Sequence, residues 1–110
     1  MPGTLALGTP AKLNGATPLT APAGLTFSIQ PKQAGGPLSV IFQAVGTVTT
    51  LTASLQVALD GVTFFDLIAA ANFISNTVPA IKIDNLVPGA LYKVNASVLT
   101  GSQDIWACAS

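Results

Sequence analysis

The fold is decided by residues 50–59, TLTASLQVAL, in which apolar and polar side chains alternate. The apolar positions are Leu51, Ala53, Leu55, Val57 and Leu59. Successive side chains of a β-strand point to opposite faces of a sheet, so this alternation predicts a strand with one buried face. The Asp60-Gly61 pair that follows favours a tight hairpin turn, because both residue types accept a positive φ angle. The chain is therefore expected to reverse here into a second strand.

Similar alternation extends to both sides of this stretch, from Pro37 to the end of the chain. Strands are predicted over residues 40–44, 62–70, 81–84, 92–98 and 105–109, with a turn at Thr100-Gly101-Ser102. The one helix candidate, residues 67–73, is short and has no capping residue. The sequence predicts an all-β fold: a single β-sandwich of about seven strands, immunoglobulin-like or jelly-roll-like.

The first third of the chain has a different composition. Residues 1–36 are rich in Pro, Gly, Thr and Ala, with prolines at positions 2, 10, 18, 22 and 31. Proline fixes φ and removes a backbone donor, which excludes helix and weakens pairing within a sheet. We therefore expect an extended N-terminal arm over residues 1–36, with one short strand at residues 25–29. The β-sandwich domain is expected over residues 37–110.

The chemically reactive residue types are almost missing. No histidine, arginine or glutamate occurs among the 110 residues, and Cys108 is the single cysteine. Acid–base catalysis, metal binding and phosphate binding rely mainly on these side chains. Cys108 has no base or cation beside it in sequence that would activate its thiol. We therefore expect no catalytic residue, no metal site and no cofactor, and predict that the protein is not an enzyme.

Charge is sparse and balanced, at 7% of residues with a mean hydropathy of +0.64. The charged residues are Lys12, Lys32, Lys82, Lys93, Asp60, Asp66, Asp84 and Asp104. Scattered lysines argue against nucleic-acid binding, and a neutral chain has no electrostatic attraction to a membrane. No apolar stretch reaches the roughly 20 residues of a membrane span, and the start lacks the basic flank of a secretory signal. The composition instead favours contact with other proteins.

Several apolar residues cannot all enter one core. Phe64 and Phe65 are neighbours, so on a strand they point to opposite faces, and the same holds for Trp106 beside Ile105. The outward side chain must be covered by a loop, by the arm or by another subunit. The candidate interface residues are Leu5, Leu13, Leu19, Leu25, Phe64, Phe65 and Trp106.

Residues 86–94, LVPGALYKV, resemble the corner between strands E and F of immunoglobulin-like and fibronectin type III domains. The resemblance implies that Pro88-Gly89 forms the turn and that the ring of Tyr92 packs inside. It also implies that the Tyr92 hydroxyl bonds to the chain just upstream. The Cys…Trp…Cys pattern of antibody domains is absent, since Trp106 lies late and Cys108 has no partner cysteine.

A second resemblance covers residues 54–67, SLQVALDGVTFFDL, and residues 92–101, YKVNASVLTG. Both are similar to small β-domains of tailed-phage virion proteins, among them capsid decoration (cement) proteins. The resemblance implies a structural virion protein on the capsid surface, made in the host cytoplasm, that stabilises the shell. Its implied partners are the major capsid protein and copies of itself, as a dimer or trimer, with the arm bridging neighbouring capsid subunits.

Other functions remain open at this point. A tail, baseplate or connector component, or an immunoglobulin-like display domain, fits the same resemblance. A carbohydrate-binding module would use exposed aromatic residues, for which only Tyr92, Trp106 and one residue of the Phe64-Phe65 pair are available.

Overall fold

The computed structural model describes residues 3–110, apart from the side chains of residues 48 and 49. The first two residues of the predicted arm therefore lie outside the described residues. The strands are β1 (Gly3–Leu5), β2 (Ala11–Lys12), β3 (Ala23–Ile29), β4 (Leu38–Ala58), β5 (Phe65–Ile68), β6 (Ala80–Leu86) and β7 (Leu91–Ala109). One 3₁₀ turn spans Ala70–Asn72, and no α-helix occurs between residues 3 and 110. The predicted all-β class is confirmed.

Two long antiparallel strands, β4 and β7, form the centre of the sheet. They pair from Val40 opposite Ala109 to Ala58 opposite Leu91. At one end, called here the five-strand end, β3 and β1 extend the sheet beside β7, and β5 extends it beside β4. At the four-strand end, β2 pairs with β7 and β6 pairs with β4. These strands belong to one mixed sheet, because β1 runs parallel to β3.

Both ends of the sheet share one core. Val40 and Phe42, at the four-strand end, belong to the same buried cluster as Leu55 and Tyr92 at the five-strand end. The rings of Phe42 and Phe27 meet edge to face, with centroids 5.8 Å apart. Side chains from opposite ends of such long strands can share a core only if the sheet bends around them.

The bend is built into the middle of β4 and β7. The pairing register shifts after Val48 and again after Thr52, and such β-bulges bend and twist a strand. Gly46 has a φ of 147°, and a Cβ atom there would collide with the carbonyl oxygen of Ser102. The turn predicted at residues 100–102 is wrong, because β7 continues through Gly101. The separate strands predicted at residues 40–44 and 50–59 are likewise one strand, β4.

The N-terminal segment (residues 3–36) lies on the sheet. The strand expected at residues 25–29 is present within β3, which pairs with β7. Leu5, Phe27 and Ile29 are buried in the shared core. Farther along, the Leu13 N–H donates to the Ile105 carbonyl at 2.8 Å, fixing the connection between β2 and β3. A role of this segment in contacting neighbouring subunits stays a prediction.

The connection from β4 to β5 is longer than the tight hairpin that Asp60-Gly61 predicts. It covers residues 59–64, and β5 is shorter than the predicted strand at 62–70. Asp60 still forms a turn, since its Oδ1 accepts the N–H groups of Val62 at 2.9 Å and Thr63 at 2.8 Å. Gly61 takes a φ of 78°, which favours glycine.

Tyr92 makes the contact that the corner resemblance implies. Its hydroxyl oxygen accepts the backbone N–H of Val87 at 2.9 Å. The ring is buried and stacks on Phe27, with centroids 5.7 Å apart. Pro88 and Gly89 are exposed in the connection between β6 and β7, upstream of the buried ring. The corner therefore ties the start of β7 to the end of β6 and to the core.

Candidate interaction surface

Four of the predicted interface residues are leucines that pack within the chain itself. Leu5 is a buried member of the core. Leu13, Leu19 and Leu25 are partly buried and pack against that core. While the N-terminal segment keeps this position, none of these side chains offers a large surface to a partner.

Two of the predicted aromatic residues lie beneath lysine side chains. The Lys93 Nζ atom is 4.2 Å from the ring centroid of Phe64, and the Lys12 Nζ atom is 5.7 Å from that of Trp106. Both rings are half-buried. A cation over an aromatic face is attracted by the negative potential of the ring. Lysines of the chain itself therefore cover Phe64 and Trp106.

Phe65 is the one predicted interface residue whose side chain is mostly exposed. It lies directly opposite Val57, which in turn lies opposite the buried Tyr92. Residues directly opposite on antiparallel strands share one face of the sheet, so Phe65 is on the face that carries the core. However, β5 is the last strand at this side of the sheet, and of its residues only Ile68 packs against the core. The core face of the sheet thus becomes an exposed apolar surface at β5.

Three further exposed apolar residues lie close to Phe65 in sequence, and none of them is among the predicted interface residues. The β5 patch comprises Leu59 (83% exposed), Val62 (79%), Phe65 (68%) and Leu67 (47%). Beside it is an open depression with a volume of about 360 Å³, lined by Val57, Leu59, Asp60, Thr63 and Phe65. The alternation of residues 50–59 predicts that Leu59 lies on the buried face of β4. The strand instead ends at Ala58, one residue earlier.

The backbone edge of β5 is open as well. Within the described chain β5 pairs with β4 and with no other strand. The exposed Asp66 is its one charged residue, and Asp66 Oδ1 accepts a hydrogen bond from Gln56 Nε2 at 3.0 Å. An open edge between apolar side chains is a template for pairing with another chain.

The β6 edge is different because it carries charges of both signs. Lys82 Nζ lies 3.6 Å from Asp84 Oδ1, and both side chains are exposed. Asp84 also accepts a hydrogen bond from the Ser39 hydroxyl at 2.7 Å. This bond, together with the nearby Lys82 ammonium, lowers the pKa of Asp84. Charged side chains on an edge strand discourage pairing, so β5 is the better candidate contact.

A second, weaker candidate is the outer face of the four-strand end. Ile41 is exposed there, opposite the half-buried Cys108. Trp106 lies on the same strand as Cys108, opposite Gln43. Polar residues interrupt this face, and Lys12 covers the ring of Trp106. It therefore presents less continuous apolar surface than the β5 patch.

Between residues 3 and 110 no three His, Cys, Asp or Glu side chains lie close enough together to hold a metal ion. Across the same span, no helix has the length and apolar character that crossing a membrane requires.

Comparison with known proteins gives no match. No family model matches the chain, and neither a curated protein nor a solved structure is similar to it.

Proposed function

We propose that this chain is a structural virion protein that decorates and stabilises a bacteriophage capsid by binding through the β5 patch. The observation that carries the proposal is an exposed apolar patch at an open sheet edge, in a chain with only four cationic and four anionic side chains. Such patches mark protein contacts. Residues 54–67, which resemble phage virion domains, are the segment that contains the patch.

The finer fold type belongs to the same proposal: a sandwich of immunoglobulin type, formed by bending one sheet around a core. Both ends of β4 contribute to that core, and the bond from Val87 to Tyr92 is typical of an E–F corner. In this proposal the bulges in β4 would supply the bend that brings two layers face to face.

Stabilisation would come from repeated contact on a lattice. The proposed partners are the major capsid protein and neighbouring copies of this chain, as a dimer or trimer, with no role for nucleic acid or membrane. A protein that binds the assembled shell and not the free subunits stabilises the shell by mass action. Contacts that connect several subunits gain further strength from effective concentration.

The N-terminal segment has a defined part in this proposal. Its connection between β1 and β3 includes exposed positions at Pro10, Ala16 and Pro18. The backbone of this connection is held to β7 at Leu13 and Leu19. These exposed residues would touch the neighbouring capsid subunit, while Leu5 and β3 keep the segment attached to its own domain.

A tail, baseplate or connector component would use the same surface, and copy number separates it from a decoration protein. A carbohydrate-binding module has less support. Tyr92 is buried and Trp106 lies beneath Lys12, which leaves Phe65 as the one exposed ring among the aromatic residues considered for a sugar site.

The test is to measure copy number in purified virions by quantitative mass spectrometry, and then to rebind the purified chain to shells from which it has been stripped. We expect hundreds of copies per virion and about tenfold weaker rebinding for Phe65→Thr, because the central apolar contact is lost. Val98→Thr, at another exposed apolar residue, should rebind like the wild type. A few copies per virion, or rebinding that Phe65→Thr leaves intact, would contradict the proposal.

A further inference from the structure

We propose that β5 binds an extended segment of the partner protein as an added strand, and that this segment alternates apolar residues with lysine or arginine. The inference rests on the proposed function, since it names the chemistry of the partner at the β5 patch. Three features of β5 support the inference: its open hydrogen-bonding edge, its apolar face with Phe65, and the charge of Asp66 on the opposite face.

The edge of β5 provides backbone recognition. Phe65–Ile68 is extended, and the side that faces away from β4 pairs with no described strand. A segment laid along that side can form the hydrogen bonds of a β-ladder with these residues. Main-chain bonds of this kind supply affinity without depending on the partner's sequence.

The apolar face selects alternate residues of the added strand. Phe65 is on the core face, next to the depression of about 360 Å³ beside Val57 and Leu59. Side chains of an added strand that point to this face would cover Phe65 and enter the depression. Because side chains alternate, these must be every second residue of the partner segment.

The opposite face carries an exposed carboxylate on the edge strand itself. Asp66 lies there, opposite Gln56, whereas Asp60 lines the depression on the Phe65 face. Lys93 is on the same face as Asp66, but it lies on β7, beyond β4, and its Nζ atom is over Phe64. Within residues 3–110 Asp66 has no lysine within ion-pair distance. The remaining residues of an added strand would thus be favoured if they are basic.

Charge also argues against a second copy of this chain as the added strand. Two β5 strands paired about a two-fold axis would place their Asp66 side chains near each other on one face. Like charges in that arrangement are destabilising. The partner segment is therefore assigned to a different protein.

The experiment uses the full chain, labelled with ¹⁵N, and four capped seven-residue peptides. The first alternates lysine and valine, and the second alternates glutamate and valine. The third and fourth are forms of the lysine peptide, one N-methylated at every valine and the other at every lysine, so that each lacks N–H donors along one edge. Binding is followed by NMR titration.

We expect the lysine peptide to shift the amides of Phe65–Ile68 and to bind at least about tenfold more tightly than the glutamate peptide, with one N-methylated form losing binding. Asp66→Asn should weaken binding of the lysine peptide about threefold, the usual size of an exposed ion pair. Asp84→Asn makes the same charge change on the β6 edge and should have no effect. Equal binding of lysine and glutamate peptides, shifts outside β5, or full binding by both N-methylated forms would each overturn the inference. So would the absence of binding, or dimerisation of the free chain through β5.

Failure of this inference can be told apart from failure of the proposed function. If no peptide binds but Phe65→Thr still weakens rebinding to shells, the β5 patch binds capsid without strand addition. The inference is then wrong and the proposed function is not. If the lysine peptide binds at β5 but the chain does not rebind to shells, the proposed function at the capsid is wrong. Binding of an added strand by β5 is then still supported.

Discussion

Phe65 lies directly opposite Val57 in the antiparallel pair of β4 and β5, so the core face of the sheet continues onto an edge strand, where the ring of Phe65 is exposed. Its neighbour Phe64 lies beneath the ammonium group of Lys93. Two adjacent residues of one type therefore have different environments. The difference allows the structural and the binding contributions of the apolar residues to be measured separately.

Replacing Phe65 should affect binding and not stability. For Phe65→Thr, we expect the free energy of unfolding to stay within about 0.5 kcal/mol of wild type, because the ring is mostly exposed and threonine suits a strand. Phe42→Ala is the contrasting variant, since Phe42 is fully buried, and should lose about 3–5 kcal/mol. Urea denaturation followed by circular dichroism measures both. A loss above about 1 kcal/mol for Phe65→Thr would mean that its ring supports the fold.

Removing the Tyr92 hydroxyl should loosen the corner before β7. In Tyr92→Phe the Val87 N–H loses its acceptor, so the free energy of unfolding should fall by about 1–3 kcal/mol. Hydrogen exchange at the Val87 amide should accelerate in the same variant. Ser39→Ala removes an exposed hydroxyl bond and is the control, with a smaller expected loss. An unchanged exchange rate at Val87 would show that the bond does not protect this amide.

The strands were the most predictable part of the fold, and their connections the least. Alternation over residues 50–59 predicts the second half of β4, which ends at Ala58, because period-two burial is a local property of the chain. Gly101 predicts a turn, whereas the residue has a φ of 99° and lies within β7, opposite Val48 of β4. Pairing with β4 keeps β7 continuous through Gly101, and a single sequence does not specify that pairing.

The burial of Leu5 and the β5 patch could not be derived from local pattern either. Residues 25–29 alternate and predict the strand that holds Phe27, but no strand is predicted around Leu5, and only the finished sheet shows that Leu5 reaches the core. Conversely, Leu59 continues an apolar alternation and yet is exposed, since β4 ends just before it. Burial at these positions depends on which strand lies at the edge of the sheet.

Asn14 should control access of trypsin to Lys12. Its side-chain Oδ1 accepts the Ile105 N–H at 2.9 Å, and its Nδ2 donates to Asp104 Oδ1 at 2.9 Å. Asn14→Ala removes these two bonds and a third, from Nδ2 to the Thr17 carbonyl at 2.9 Å. Cleavage after Lys12 should therefore become about tenfold faster, because local opening becomes easier by roughly 1–3 kcal/mol. Cleavage after Lys32, in the loop before β4, should keep its rate and is the internal control.

The same trypsin measurement tests the capsid contact of the N-terminal segment. In the isolated wild-type chain Lys32 should be cut before Lys12, because Lys12 pairs with Trp106 in the sheet. On the native particle both sites should be protected if the segment bridges neighbouring subunits. Equal cleavage in the free and bound states would count against that bridging.

Acid should weaken the turn at Asp60. Hydrogen bonds from Thr63 and Val62 lower the pKa of Asp60 in the folded chain below its ordinary value of 3.8. The stabilisation is therefore complete above pH 3.8 and is lost as the pH falls through the lower, folded-state pKa. Asp60→Asn keeps an acceptor oxygen but cannot titrate, so its unfolding free energy should fall less on acidification. Identical pH profiles, measured by urea denaturation between neutral and strongly acidic pH, would show that Asp60 does not contribute.

Substituting Gly46 should disrupt the bend between the two ends of the sheet. In Gly46→Ala the new Cβ would collide with the carbonyl oxygen of Ser102, and the φ of 147° is a region that only glycine occupies readily. Because backbone, not a flexible side chain, opposes the Cβ, we expect a loss of about 2 kcal/mol or more in unfolding free energy. Gly89→Ala is the matched control: its Cβ would meet no atom within 4 Å and its φ is not positive, so stability should stay unchanged or rise slightly. Equal stability of the two variants would mean that the paired strands can separate at Gly46 without cost, and that the bulges alone bend the sheet.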